Sequence, residues 1–165
     1  MTEKEFKFQY ALGTLSLNNL EVIAKHTKLK YIITTLSKDE NWFVRTRVAA
    51  NKRAPMNVLA YLSKDEDPIV RFYVAENLNT SKKVLTKLSK DEDYNVRKGV
   101  AEHPSTPIKV LTKLSNDIDW RVRSSVTKNP NTPIKVIAKL SNDIDYSVKY
   151  NAGQLLINKG FKYER

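Results

Sequence analysis

The sequence predicts an all-α fold, an α-solenoid of five 26-residue two-helix repeats with a cap at each end. The first observation is a fixed interval, because Leu36-Ser37 and Val44-Arg45 each recur every 26 residues, with Lys149 replacing Arg in the fifth copy. The second is helical spacing, since Val110 and Leu114 are four residues apart and fall on one face of a 3.6-residue period. The third is that no long run alternates between apolar and polar residues, which argues against strands.

Local signals divide each repeat into two short helices. Thr106 is expected to cap a first helix, with Pro107 at the N1 position, where the missing N–H is not needed. Asp119 is expected to cap the second helix, and Asn129 to end it, because Pro130 disfavours helix in the residue before it. Helices of about ten residues are unstable alone in water, so each must pack against its neighbours.

The two ends of the chain depart from the repeat. Residues 1–27 are expected to form an N-terminal cap, because their apolar residues do not follow the repeat pattern, and the five repeats occupy residues 28–157. In the last copy Leu155-Leu156-Ile157 replaces the Asn-Pro signal, so the final helix is expected to run to about Gly160. Residues 158–165 are expected to form a C-terminal tail, and the whole chain is expected to be a single domain.

The repeat motif resembles a known family. Its fullest copy, residues 106–130, follows the pattern Thr-Pro-x-x-Val-Leu-x-x-Leu-Ser-x-Asp-x-Asp-x-x-Val-Arg-x-x-Val-Ala-x-Asn-Pro closely. This pattern resembles HEAT-like helical repeats, and most closely the leucine-rich variant repeat, over about residues 28–157. The unit is much shorter than the 40–47 residues of a HEAT repeat. The resemblance implies a binding scaffold and no particular activity, since fold alone does not give function.

Composition excludes several classes of site. The 165 residues include no cysteine, which excludes disulfides and thiol chemistry, and only two histidines. The start of the chain lacks a signal peptide and no apolar run is long enough to span a membrane, so we expect a cytoplasmic protein. Without a cluster of acid and base residues, we expect no enzymatic activity, no metal and no cofactor.

Five basic residues recur at the position after the repeated valine. Two interpretations of this column are open. The side chains can pair with Asp residues of their own or the adjoining copy, because a guanidinium fits a carboxylate with two parallel bonds, or they can form a row that binds phosphates. Because a group present in every copy usually serves the stack, pairing is favoured. The basic column is Arg45, Arg71, Arg97, Arg123 and Lys149, and the acidic column is Asp39, Asp65, Asp91, Asp117 and Asp143.

Aromatic and Arg side chains follow one stripe of the second helices. Such residues are enriched in protein interfaces, so this stripe is expected to bind a protein partner, although the rings can alternatively pack between layers of the stack. The residues expected to contact the partner are Trp42, Phe43, Arg47, Phe72, Tyr73, Trp120 and Arg121.

Pairs of lysines four residues apart recur on the first helices of the last three repeats. The chain carries 29 Lys and Arg against 18 Asp and Glu, a net charge of +11. The lysines can be a solvated face that keeps the protein soluble, or a surface that binds a polyanion such as nucleic acid without sequence preference. The six residues of this alternative site are Lys83, Lys87, Lys109, Lys113, Lys135 and Lys139.

Overall fold

The computed structural model describes residues 1–160, and in that range the chain forms helices and no strands. The helices fall into two compact units, Met1–Ser81 and Lys82–Arg165. Every helix of the described range is too short or too polar to cross a bilayer.

The first unit contains two leading helices and two helix pairs of the repeat. A capping box opens the first helix, since the Thr2 hydroxyl accepts a bond from the N–H of Glu5 and the Glu5 carboxylate accepts one from the N–H of Thr2. The second helices pack side by side, α2 (Leu17–His26) against α4 (Trp42–Ala49) and α4 against α6 (Pro68–Glu76). The helices of this unit are α1 (Glu3–Ala11), α2 (Leu17–His26), α3 (Lys30–Leu36), α4 (Trp42–Ala49), α5 (Met56–Leu62) and α6 (Pro68–Glu76).

The second unit contains three helix pairs. Its second helices pack on each other in order, α8 (Tyr94–Glu102) against α10 (Trp120–Lys128) and α10 against α12 (Tyr146–Asn158). Helix α12 is the longest and ends close to Gly160, as the sequence predicts. The helices are α7 (Lys82–Leu88), α8 (Tyr94–Glu102), α9 (Ile108–Leu114), α10 (Trp120–Lys128), α11 (Ile134–Leu140) and α12 (Tyr146–Asn158).

The repeated apolar residues form the core of each unit. In the second unit the valines Val96, Val122 and Val148 are fully buried, and so are Leu85 and Leu111. Burying a side chain of this size contributes about 1.5–3 kcal/mol, which these short helices need because they are unstable in isolation.

One of the predicted caps is wrong. Pro107, expected at N1, is instead the N-cap residue of α9, and the Thr106 hydroxyl donates a bond to the Val100 carbonyl at 2.6 Å. The carbonyls in the last turn of a helix have no intrahelical partner, so the end of α8 offers this hydroxyl an acceptor. The second-helix predictions are confirmed, because Asp119 accepts a bond from the N–H of Arg121 and Asn129 is the C-cap of α10.

Helices α1 and α2 account for most of residues 1–27, and the role of this segment as an end cap stays a prediction. The assignment of a single domain and the repeat boundaries at residues 28 and 157 also stay predictions. The part of the predicted C-terminal tail beyond Gly160 lies outside the described residues.

Candidate functional site

Three arginines of the repeated column form two-pronged bonds to the Asp of the next repeat. Nε and Nη2 of Arg45 lie 2.7 and 2.9 Å from the carboxylate oxygens of Asp65. The same two bonds join Arg97 to Asp117 at 2.7 and 2.9 Å. Arg123 reaches Asp143 at 2.8 Å with both nitrogens. The structural interpretation of the column is confirmed for these three arginines, which are engaged by carboxylates and do not form an open phosphate-binding row.

Each of these arginines also holds the turn of its own repeat. Nη1 of Arg123 donates to the carbonyls of Asp117 and Ile118 at 2.8 and 3.1 Å. Arg71 makes the same two bonds in its own turn, to the carbonyls of Asp65 and Glu66. The bond from Arg123 lowers the pKa of the Asp143 carboxyl below its ordinary value, so this carboxyl is ionised at neutral pH.

A second ladder joins the ends of the second helices. The Asn77 amide donates to the carbonyls of Ala49 and Asn51 at 2.7 and 2.9 Å. Asn129 makes the equivalent bonds to Ala101 and His103. His103 occupies the same column, where it is buried and its Nδ1 accepts a bond from the N–H of Ser105. These recurring polar residues therefore satisfy backbone groups inside the stack.

The aromatic and Arg stripe of the first unit lies at the surface of α4 and α6. Trp42 is 41% exposed and contacts Phe43 edge to face, with ring centroids 5.2 Å apart. The guanidinium of Arg47 lies over the Phe43 ring at 4.7 Å. On α6, Phe72 and Tyr73 are half-buried and contact each other edge to face at 5.3 Å. The structure brings Trp42, Phe43 and Arg47 into one patch.

The stripe of the second unit is organised around Arg121. Its guanidinium stacks on the Tyr94 ring at 4.0 Å and lies 5.7 Å from the ring of Trp120. The Asp119 carboxylate holds it with bonds of 3.1 and 3.0 Å. Trp120 is 41% exposed, so an ordered guanidinium and a large ring are presented together to solvent.

Four further side chains on the second helices of this unit lie outside the predicted contact set. Tyr94 and Asp119 position Arg121, as described above. Tyr146 and Tyr150 stack on each other at 6.1 Å and are both exposed. Their spacing of four residues on one helix was a signal that could have placed them in the set. We call these side chains the second-helix surface, of which each unit carries its own part: Trp42, Phe43, Arg47, Phe72 and Tyr73 in the first unit, and Tyr94, Asp119, Trp120, Arg121, Tyr146 and Tyr150 in the second.

The six lysines of the alternative site are all exposed. In the part of the chain that the structure describes, no ion pair is found for any of them, although Lys139 donates a hydrogen bond to the Asn116 side chain. Residues 82–160 contain fifteen Lys and Arg against eight Asp and Glu. Within residues 1–160, no three His, Asp or Glu side chains are grouped so that they could hold a metal ion.

No family model and no curated protein matches this sequence. Solved structures of similar fold include two that each cover about nine tenths of this chain. One is a leucine-rich repeat variant with a novel repetitive structural motif, with a TM-score of 0.44, 21% identity and coverage of 91% of this chain and 71% of that chain. The other is an engineered protein, with a TM-score of 0.50, 19% identity and coverage of 89% and 90%. Together with the helices described above, the second likeness confirms the predicted all-α helical-repeat fold, and it shows the fold alone.

Proposed function

We propose that this protein is a non-enzymatic repeat scaffold that binds another protein through the second-helix surface. The observation that carries the proposal is the ordered guanidinium of Arg121, stacked on Tyr94, bonded to Asp119 and exposed beside Trp120. Arg and Trp are over-represented among the residues that contribute most to binding energy at protein interfaces. A side chain that is already ordered loses less entropy on binding, which favours this patch as a contact site.

The use of the other polar groups supports the same conclusion. Three arginines of the repeated column, the Asn ladder and His103 are bonded within the stack, so they serve the scaffold. The second histidine, His26, is exposed in the last turn of α2. Each unit presents its own cluster of aromatic and Arg side chains, around Trp42 in the first and Trp120 in the second.

The proposal is tested by comparing proteins captured by the wild type with those captured by Trp42→Ala and Trp120→Ala. Loss of a central interface Trp is expected to weaken binding by at least about 30-fold, since such residues contribute about 2 kcal/mol or more. The control is Tyr61→Ala, which removes an exposed ring from a first helix. Circular dichroism and thermal unfolding check that all variants stay folded.

A protein captured by the wild type and by Tyr61→Ala but lost by a Trp variant is then purified, and its Kd is measured by calorimetry. If the folded Trp variants capture the same proteins as the wild type, the second-helix surface is not the binding site. If both Trp variants unfold, the rings are part of the core and the proposal fails.

A second candidate function is nucleic-acid binding through the six exposed lysines. The observation that favours it is that none of these ammonium groups forms an ion pair within residues 1–160, although Lys139 is close enough to Asp143 to help lower the pKa of that carboxyl. Six phosphate contacts on duplex DNA imply a slope of about −5 when log K is plotted against log salt concentration. The triple variant Lys83→Gln, Lys109→Gln, Lys135→Gln is expected to reduce that slope by about half. A slope near zero, or no binding at low salt, excludes this function.

A further inference from the structure

The turns between the two helices differ between the first three and the last two repeats. Residues 37–41, 63–67 and 89–93 contain Lys and Glu on either side of the repeated Asp, whereas residues 115–119 and 141–145 have Asn and Ile at those positions. The two isoleucines that replace Glu are almost completely exposed, Ile118 at 93% and Ile144 at 98%. A group that differs between copies is not needed for the stack, so these isoleucines require another explanation.

Both isoleucines project from turns whose backbone is fixed. Arg123 donates to the Ile118 carbonyl, and the N–H of Asp119 donates to Asp117 at 2.9 Å. In the next turn the N–H of Asp145 donates to Asp143 at 2.9 Å, and the same Asp143 is held by Arg123. The turns therefore hold two large aliphatic side chains in contact with water. Transfer of these side chains into an apolar phase would be favourable.

The carboxylates of these two turns are engaged within the protein. Asp117 and Asp143 accept the paired bonds of Arg97 and Arg123, and Asp119 binds Arg121. Asp145 caps α12 by accepting from the N–H groups of Ser147 and Val148.

The neighbouring cations, in contrast, are exposed. Lys139 bonds to Asn116 in the turn that carries Ile118, and it belongs to the last turn of α11, five residues before Ile144. Lys113 is exposed in the last turn of α9, five residues before Ile118. We call these four side chains the isoleucine edge: Lys113, Ile118, Lys139 and Ile144.

We propose that the isoleucine edge binds the surface of an anionic phospholipid bilayer, with Ile118 and Ile144 inserted at the boundary of the acyl chains and the lysines against the headgroup phosphates. Single aliphatic side chains on two separate turns, with polar residues between them, fit a fluid apolar layer better than one continuous protein groove. The cations beside them complement the negative surface of such a bilayer. This site shares no residue with the second-helix surface, although Asp119 of that surface follows Ile118 in the same turn.

The test is sedimentation of the purified protein with vesicles of phosphatidylcholine alone or with about one third phosphatidylserine, at several salt concentrations. The wild type is expected to bind the anionic vesicles, and to bind more weakly as salt rises. The double variant Ile118→Ser, Ile144→Ser keeps the net charge and is expected to bind at least about tenfold more weakly, because the apolar contribution is lost. The double variant Ile118→Glu, Ile144→Glu, which carries the residue found in the first three repeats, is expected to lose binding altogether. Tyr61→Ala, which removes an exposed ring from a first helix outside both proposed sites, is expected to bind vesicles as the wild type does.

Insertion is measured directly with a polarity-sensitive fluorophore, since the chain has no cysteine and accepts a single labelled one. The fluorescence emission of a label on Ile144→Cys is expected to shift to shorter wavelength when anionic vesicles are added. The control is a label on Ile108→Cys, an exposed position at the opposite end of α9 from Ile118, whose emission is not expected to shift. The proposal is overturned if the wild type does not bind anionic vesicles, if the Ser double variant binds them as tightly as the wild type, or if the emission of both labels shifts equally. Loss of a captured protein by the Ser variant, without vesicle binding by the wild type, would assign the edge to a protein groove instead.

Discussion

At the scale of single residues, Arg45 shows how burial separates a structural ion pair from a surface one. Its bond to Asp65 is 2.7 Å long and the Asp65 side chain is 6% exposed, whereas the contact with Glu66 is 3.6 Å long and the Glu66 side chain is 90% exposed. A contact between exposed charges is screened by water and salt, so it contributes little. The buried carboxylate is therefore the partner on which Arg45 depends.

Replacing each carboxylate by its amide tests this difference. Asp65→Asn keeps the shape of the side chain but leaves the Arg45 guanidinium without its charged acceptor, and we expect the free energy of unfolding to fall by about 1–3 kcal/mol. Glu66→Gln, the matched control, is expected to change it by less than about 0.5 kcal/mol. Urea unfolding followed by circular dichroism measures both. Equal effects of the two substitutions would show that burial does not distinguish the pairs.

The second residue-scale prediction concerns Tyr10 at high pH. Burial and the hydrogen bond from its hydroxyl to Asp39, 2.7 Å long, raise the pKa of Tyr10 from its ordinary 10.0 to about 12. Since the neutral form is the one stabilised by folding, its contribution is complete below pH 10 and is lost as the pH rises towards 12. The loss of stability between these pH values is expected to be smaller in Tyr10→Phe than in the wild type. Urea unfolding at a series of pH values measures it, and identical pH dependence in both proteins would contradict the assignment.

Sequence reasoning at this scale succeeds for groups that recur and fails for those that do not. The pairing of Arg97 with Asp117 was predictable because both residues repeat at a constant interval. The stacking of Arg121 on Tyr94 was not, because it depends on side-chain rotamers and on how closely α8 and α10 approach. The same limit applies to Ile118, whose exposure follows from the geometry of one turn and not from its apolar character.

At the scale of the elements, the stack is held by bonds between helix ends as well as by apolar faces. The buried Asn129 amide connects the end of α10 to the carbonyls of Ala101 and His103 at the end of α8, at 2.7 and 2.9 Å. The Ala101 carbonyl lies in the last turn of α8, where carbonyls have no intrahelical partner, whereas the His103 carbonyl also accepts a bond from the N–H of Thr106 at 3.0 Å. Loss of the amide therefore leaves the buried Ala101 acceptor unsatisfied and removes one of two donors from the His103 carbonyl.

Asn129→Ala is therefore expected to lower the free energy of unfolding by about 1–3 kcal/mol. Asn131→Ala provides the control, since this exposed side chain also donates to a carbonyl of the preceding repeat but is in contact with water. Its effect is expected to be below about 1 kcal/mol, because water can replace the lost donor. Thermal and urea unfolding of both variants test whether Asn129→Ala is the more destabilising substitution. A larger loss of stability in Asn131→Ala would contradict the prediction.

The start and the end of the helices were predictable to different degrees. Asp119 caps α10 as expected, because an Asp side chain just before a helix has one favourable set of partners, which are the free N–H groups of the first helical turn. The Thr106 hydroxyl had two possible partners, the first N–H groups of α9 and the last carbonyls of α8. It donates to the Val100 carbonyl and does not cap α9. A sequence shows which groups a hydroxyl can reach along the chain, but not that the preceding helix ends within its reach.

At the scale of the whole molecule, the constant 26-residue interval was sufficient to predict an all-α repeat fold, because each copy is too short to fold alone and must stack. The interval carries no information about the partner, since every copy shares it. That information lies in the positions at which the copies differ. These are the rings around Arg121, the lysines on the first helices of the last three repeats, and the isoleucine edge. Each departure was visible in the sequence, but its exposure and its neighbours required the structure.

The net charge of +11 makes a last prediction about the molecule as a whole. Two like charges about 10 Å apart in water repel by about 0.4 kcal/mol. The exposed lysines of the first helices provide several such pairs, and none of these lysines forms an ion pair in the described part of the chain. Raising the ionic strength from about 0.01 M to 0.15 M shortens the Debye length from about 30 Å to 8 Å, which screens this repulsion more than it weakens the buried Arg–Asp pairs. We therefore expect the free energy of unfolding to increase by about 1 kcal/mol over that range, and to increase less in the triple variant Lys83→Gln, Lys109→Gln, Lys135→Gln. Urea unfolding in sodium chloride measures both, and a fall in stability with salt would show that exposed ion pairs outweigh the repulsion between the lysines.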